Sequence, residues 1–243
     1  MNYLTLFQQA TQGREPYDYQ KRLACGERGD KSEAEWLSSS GPCESRLISI
    51  PTGLGKTAAV VLAWLWNRCS KVAATSVASA SQTPWPRRLV YCLPMRTLVE
   101  QTRNEAAKWL SNLGLADKVG LHILIGGEET EDWDLHPEAD AILIGTQDML
   151  LSRALNRGYG MSRYRWPMHF GLLNNDCLWV MDETQLMGPG LWTSGQLDWM
   201  RNQRFGVMKP CVTWWMSATN SPDFLETPDR KKYPLIQIGR AHV

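Results

Sequence analysis

Short runs of apolar residues alternate with helix-like segments along most of the chain. The helix-like segments cover 57–68, 98–113 and 147–155. The apolar runs are bounded by turn residues, as buried strands are, and cover 47–50, 89–93, 119–125, 141–144, 177–181 and 212–216. Apolar strands that alternate with helices predict an α/β fold with a mostly parallel sheet and helices on both faces. Such sheets bind ligands at the carboxyl ends of their strands.

Two segments interrupt this alternation. Residues 26–44 are polar and contain Ser and Gly, so we interpret them as an insertion before the first strand. Residues 70–86 are rich in Ser, Ala, Thr and Pro, which predicts a long surface loop.

Composition narrows the class of protein. The chain has 243 residues and 43% of them are apolar, which excludes whole-chain disorder. A formal charge of +1 excludes a basic arm that holds nucleic acid by bulk charge, although a local basic groove stays compatible. No run reaches the ~20 apolar residues that span a membrane, and the N-terminus does not resemble a signal peptide. The six cysteines form no CxxC pair and the four histidines form no cluster, which predicts a cytoplasmic protein with reduced core thiols.

The chain contains 12 tryptophans. Two pairs, Trp64/Trp66 and Trp214/Trp215, lie in or beside apolar segments. We expect both pairs to pack in the core rather than to stack on bases.

The sharpest motif, Pro-Thr-Gly-Leu-Gly-Lys-Thr at 51–57, follows a strand and opens a helix. Glycines let the backbone curl so that its N–H groups face phosphate oxygens, and the helix N-terminus adds partial positive charge. Lys56 would reach the β- and γ-phosphates of ATP, and the Thr57 hydroxyl would bind Mg²⁺. The remaining residues of the phosphate-binding loop would be Thr52, Gly53, Leu54 and Gly55. The strict motif begins with Gly where this chain has Ile50.

An acidic pair follows the strand at 177–181. A P-loop ATPase needs an acid at the end of a neighbouring strand to hold Mg²⁺, and Asp182 has that position. It also needs a group to polarise the attacking water, which predicts Glu183 as the general base. The two motifs together therefore predict hydrolysis of ATP, with Lys56 and Glu183 as the catalytic residues.

Smaller motifs occur in an order that resembles the first RecA-like domain of a superfamily 2 helicase. The resemblance implies that Gln20 reads the adenine edge. It implies that residues after three strands contact the DNA backbone, namely Arg96, Thr97, Gly126, Gly127, Thr146 and Gln147. It also implies that hydrolysis is coupled to strand movement through Gln185, Ser217 and Thr219. Backbone contacts of this kind grip a strand without reading its bases.

A narrower resemblance rests on three stretches. Gly145–Leu151 with Arg153–Leu155, Asp182–Met187 and the segment 156–175 resemble the CRISPR-associated helicase-nuclease of type I systems, in its type I-G (formerly I-U) branch. That family implies an ATP-driven translocase that moves 3′ to 5′ on single-stranded DNA. It also implies recruitment by a crRNA-guided surveillance complex and degradation of the displaced strand. Gln185 stands where many members of that family have His.

The resemblance divides the chain into three parts. Residues 1–45 are an N-terminal segment with the adenine-reading element, 46–225 are the RecA-like ATP-binding domain, and 226–243 are a truncated tail. Residues 238–243 resemble the translation of a sequencing adapter. The second RecA-like domain and the family's His-Asp nuclease are not in the sequence. That second domain supplies an arginine finger worth ~10³–10⁵ in rate in related NTPases, so we expect the chain to bind Mg-ATP but to hydrolyse it slowly alone.

Two other interpretations stay open. The chain could be the motor of a restriction or repair helicase, which would share these motifs and differ in downstream domains. It could also be a non-catalytic module that binds DNA under nucleotide control, and then Glu183 would not be needed for DNA binding. Intact Lys56, Thr57, Asp182 and Glu183 favour an enzyme.

Overall fold

The described residues fold around a parallel sheet in which they form seven strands. The structure is a computed structural model, and it describes residues 1–70, 85–126, 133–158, 161–218 and 236–238. The strands lie in the order β3-β4-β2-β5-β6-β1-β7, and every neighbouring pair is parallel. Their bounds are β1 Arg46–Ser49, β2 Arg88–Leu93, β3 Val119–Leu124, β4 Asp140–Thr146, β5 Cys177–Asp182, β6 Cys211–Ser217 and β7 Ile236–Ile238.

Helices cover both faces of this sheet. Two apolar clusters form the core, one against α1, α2, α3, α4 and α5 and the other against α6, α7 and α8. The helices are α1 Tyr3–Thr11, α2 Asp18–Cys25, α3 Glu33–Leu37, α4 Lys56–Leu65, α5 Arg96–Asn112, α6 Gln147–Ala154, α7 Trp166–Asn174 and α8 Pro189–Gln203. The predicted α/β fold, a parallel sheet with helices on both faces, is confirmed.

All six predicted strands are present, and the helix-like segments correspond to α4, α5 and α6. The central strands are buried along their whole length, which is why they read as continuous apolar runs. Five of the eight α-helices in the described part of the chain were not predicted. Gly and Pro within α7 and α8 hid their helical pattern in the sequence. Pro167 and Pro189 lie in the first turn, where proline is tolerated because a backbone N–H at that position would have no partner within the helix.

The segment 26–44, which we predicted to be an insertion before the first strand, contributes side chains to the core. Trp36 is buried and its indole donates to the Gly26 carbonyl at 2.7 Å. Trp85, at the end of the predicted surface loop, is also buried and donates to the Gly41 carbonyl at 2.8 Å. Residues 71–84 of that loop lie outside the described part of the chain.

The tryptophan pairs pack in the core, as expected. Trp64, Trp214 and Trp215 are fully buried and Trp66 is 3% exposed. No helix within the described ranges is both long and apolar enough to cross a membrane.

Candidate functional site

The nucleotide motifs meet at one edge of the sheet because β5, β6 and β1 are neighbours. Residues 51–57 follow β1, Asp182 ends β5 and Ser217 ends β6. The carboxyl ends of parallel strands share an edge, so side chains far apart in sequence come together there. This is the edge where the sequence predicts a ligand.

The loop at 51–57 has the backbone shape of an anion cradle. Gly53 and Gly55 have φ values of +84° and +75°, which L side chains rarely adopt. Helix α4 begins directly after them at Lys56. The helix N-terminus and the curled backbone together favour a phosphate group at this point.

Helix α2 supports this loop from behind. The Tyr19 hydroxyl donates to the Leu54 carbonyl at 2.5 Å, and the Gln20 amide donates to the Gly55 carbonyl at 3.0 Å. The other end of the Gln20 amide accepts from the Tyr17 backbone at 2.9 Å. Gln20 therefore braces the loop with both ends of its side chain, and its role as an adenine reader stays a prediction.

Lys56 is the buried cation of the site. Its ammonium group lies 2.7 Å from the Glu183 carboxylate and 3.7 Å from the Asp182 carboxylate. Burial raises the pKa of Glu183, but hydrogen bonds from Lys56 and Gln185 outweigh it and hold that pKa below its usual value. Glu183 is therefore ionised at neutral pH.

Asp182 is more deeply enclosed than Glu183. Tyr91 donates to its Oδ2 at 2.8 Å and the Glu183 backbone donates to its Oδ1 at 2.9 Å. Burial raises the pKa of Asp182 above its usual value, although Lys56 and Tyr91 pull it down. Sequence reasoning missed Tyr91, because a tyrosine within the apolar run of β2 is read as core.

This raised pKa predicts that Asp182→Asn stabilises the ligand-free protein. A carboxyl whose folded-state pKa lies above the unfolded value costs stability when ionised, and the cost disappears as pH falls through the folded-state pKa. Removing this cost should raise Tm at neutral pH, and the gain should shrink as pH falls through the folded-state pKa of Asp182. Thermal unfolding in EDTA measures this, with the exposed Asp117→Asn as the control. An equal or lower Tm for Asp182→Asn would contradict the argument.

A hydrogen-bond path leads from Glu183 to β6. Gln185 donates to Glu183 Oε2 at 2.7 Å, and the fully buried Ser217 donates to Gln185 Oε1 at 2.6 Å. The short turn at Thr184–Leu186 that follows Glu183 aims Gln185 at both partners. Two of the three predicted coupling residues are thus in contact, and the third, Thr219, lies outside the described residues.

A cavity of about 310 Å³ lies between the loop and α5. A second cavity, of about 580 Å³, shares Gly53, Gly55 and Glu105 with it and extends past Tyr17 and Gln20. Ligand pockets for molecules of nucleotide size commonly enclose ~300–1,000 Å³. The first cavity is lined by Thr52, Gly53, Gly55, Lys56, Thr57, Leu93, Leu98, Gln101, Thr102, Glu105, Asp182 and Glu183.

The lining also has the chemistry for Mg²⁺. Thr57 offers a hydroxyl oxygen and Asp182 a carboxylate oxygen on the same cavity wall. Hard oxygen ligands of this kind, few in number and combined with phosphate oxygens, are what Mg²⁺ prefers. The residues present therefore fit a magnesium ion bound with a nucleotide.

The predicted nucleic-acid residues lie at the other half of the same edge. Arg96 and Thr97 are exposed in the first turn of α5 after β2, and Gly126 is exposed after β3. Thr146 and Gln147 are partly exposed where β4 passes into α6. Gly127 lies outside the described residues. Because β3, β4 and β2 are neighbours, these positions form a row beside the nucleotide cavity.

A parallel sheet with a phosphate-binding loop and an acidic strand end defines a RecA-like P-loop NTPase domain. The family model of DEAD/DEAH box helicases matches residues 34–227, so the chain belongs to that family. It is the ATP-binding domain of a superfamily 2 helicase.

Solved helicase structures share this fold. Dbp5 from S. cerevisiae, bound to Nup159, Gle1, IP6 and ADP, aligns with a TM-score of 0.55 at 16% identity over 97% of this chain and 52% of its own. The helicase MrfA bound to DNA and AMPPNP gives 0.54 at 17% identity, over 93% of this chain and 29% of its own. Mss116 bound to ssRNA and UDP-BeF aligns with a TM-score of 0.56 at 14% identity, over 89% of this chain and 39% of its own.

At sequence identities of 14–17%, the similarity to these structures shows the fold alone. The chain spans about 29–52% of the length of these three structures. A search of curated protein sequences found no significant match.

Proposed function

We propose that the chain is the ATP-hydrolysing motor domain of a helicase that moves on single-stranded DNA. The observation that carries this proposal is the cluster of Lys56, Thr57, Asp182 and Glu183 on the wall of one cavity beside the curled loop. An acid, a base and a cation held together at a phosphate cradle are the groups that phosphoryl transfer to water requires.

Each residue has a distinct task in this proposal. Lys56 binds the β- and γ-phosphates, exchanging its present carboxylate partners for phosphate oxygens. Glu183 orients and polarises the attacking water, and its low pKa keeps it ionised for that task. Thr57 and Asp182 would hold Mg²⁺, which supplies positive charge that stabilises the transferred phosphoryl group.

The path from Glu183 through Gln185 to Ser217 supports a coupling role. A change in the partners of Glu183 alters a bond that Gln185 donates, and Gln185 also accepts from Ser217. Gln185 stands where many members of the type I helicase-nuclease family have His, and its amide both donates and accepts. We propose that Gln185, Ser217 and Thr219 report the state of the nucleotide to the bound strand.

The choice of DNA, and of CRISPR interference as the process, rests on the sequence resemblance. MrfA is bound to DNA in its structure and Mss116 to ssRNA, so the shared fold is compatible with either nucleic acid. The resemblance of 145–151 and 182–187 to the type I helicase-nuclease supports DNA. It also supports the partners we propose in a prokaryotic cytoplasm: a crRNA-guided surveillance complex, a second RecA-like domain and a His-Asp nuclease domain.

Strand binding tests the proposal. With Mg²⁺ and a non-hydrolysable ATP analogue, we expect the chain to bind single-stranded DNA more tightly than RNA of the same sequence. Affinity should change little when the bases are permuted and should fall linearly in log–log form with salt. Fluorescence anisotropy with labelled oligonucleotides measures all three. Equal or tighter binding to RNA would contradict the choice of DNA.

Two variants of α5 sharpen the same experiment. Arg96→Ala removes a charge from the first turn, and Arg103→Ala removes the same charge two turns along the same helix. Only Arg96→Ala should weaken DNA binding and reduce the salt slope by about one. Equal effects of the two substitutions would show that bulk charge, and not the row of loop contacts, holds the strand.

A further inference from the structure

Tyr91 is a buried polar group that none of the sequence motifs includes. It lies in the middle of β2, directly across from Val180 on β5, and it is 0% exposed. Burying a phenol in an apolar sheet carries a cost unless the hydroxyl finds a partner, so phenylalanine would be the simpler choice here. The partner is Asp182, two residues beyond Val180 on the same face of the sheet.

The contact fixes the orientation of a carboxylate at the nucleotide cavity. Tyr91 donates to Oδ2 at 2.8 Å while the Glu183 backbone donates to Oδ1 at 2.9 Å. Each oxygen therefore has one fixed donor, and rotation of the carboxylate would break both bonds. Thr57, the other side chain proposed to hold Mg²⁺, lines the same cavity as Asp182.

We infer that Tyr91 is a positioning residue for the magnesium site, which holds the carboxylate of Asp182 in one orientation for the metal. This inference rests on the proposed function of the cavity. Tyr91 does not touch the nucleotide: it is fully buried and is not among the residues that line the described cavities. Its effect is therefore on the metal and not on the phosphates.

The test is Tyr91→Phe, which keeps the ring and removes the hydroxyl. Tyr3→Phe is the matched control, because Tyr3 is equally buried and its hydroxyl has no hydrogen-bond partner among the described residues. Binding of a fluorescent N-methylanthraniloyl ATP to the full chain is measured over a range of free Mg²⁺ and again in EDTA. We expect Tyr91→Phe to raise the Mg²⁺ concentration for half-maximal enhancement about tenfold, the loss of one hydrogen bond to a charged group. Binding in EDTA should not change, and Tyr3→Phe should match the wild type in both.

A general loss of structure would give a different result. It would weaken binding of the labelled ATP equally with and without Mg²⁺. Either that result or an unchanged Mg²⁺ dependence in Tyr91→Phe would overturn the inference. A double-mutant cycle adds a second readout, because Tyr91 acts through the Asp182 carboxylate. Adding Tyr91→Phe to Asp182→Asn should cause no further loss of Mg²⁺ dependence, and multiplied losses would overturn the inference.

ATP binding by the wild-type chain distinguishes failure of this inference from failure of the proposed function. Wild-type chain that binds no nucleotide would overturn the proposed function and the role of Tyr91 together. Wild-type chain with normal Mg²⁺-dependent binding, and a Tyr91→Phe variant identical to it, would overturn the role of Tyr91 alone.

Discussion

Replacing Lys56 with alanine is expected to lower the affinity for ATP at least about a hundredfold. Lys56 is 8% exposed and its ammonium group stands between the phosphate-binding loop and the two carboxylates. Without it, a triphosphate would approach two negative charges with no buried cation between them. Equilibrium binding of labelled ATP measures the loss.

The control for this variant has to separate binding from folding. Lys56→Ala leaves two carboxylates close together and partly buried, which lowers stability as well as affinity. The double variant Lys56→Ala with Glu183→Gln removes one of those charges, and it should regain thermal stability without regaining ATP binding. Lys118→Ala removes an exposed lysine and should leave both properties unchanged. Wild-type affinity in Lys56→Ala would contradict the assignment of the phosphate-binding loop.

Glu183→Gln is expected to retain ATP binding and to lower hydrolysis about 10²–10⁴-fold. An amide of the same size can orient water but cannot accept its proton. Neutralising Glu183 also releases Lys56 from its 2.7 Å ion pair, so ATP affinity should be equal to or higher than that of the wild type.

Hydrolysis is best measured in a longer chain that carries the second RecA-like domain. That domain is expected to supply the arginine finger, and the 243-residue chain alone should be much slower. Glu105→Gln is the matched control, because Glu105 lines the same cavity and makes no described contact with Lys56. Turnover that survives Glu183→Gln would show that another group is the base. Absence of turnover in the longer wild-type chain would favour the non-catalytic module.

The phosphate-binding loop and the acidic pair could be predicted because their chemistry is local. Each is a short run of residues after an apolar strand, and the strands read clearly because they are buried on both faces. The helices α7 and α8 could not be predicted, since their turns contain Gly and Pro that ordinarily end helices. The short β7, beside β1, gives too few residues for a pattern.

Side-chain hydrogen bonds between neighbouring strands could not be predicted from the sequence. The bond from Ser217 to Gln185 exists because β5 and β6 are neighbours, and the bond from Tyr91 to Asp182 exists because β2 and β5 are neighbours. The order of strands in the sheet differs from their order in the chain, so spacing along the sequence does not reveal these pairs. The same order places the nucleotide cavity and the predicted nucleic-acid row on adjoining halves of one edge.

The most direct test of the account is calorimetric titration of the chain with ATP in the presence of Mg²⁺, repeated in EDTA. We predict saturable binding of one ATP per chain, with clearly lower affinity when Mg²⁺ is removed. No saturable binding in Mg²⁺, or identical binding curves with and without the metal, would contradict the assignment of Lys56, Thr57 and Asp182 to a Mg-ATP site.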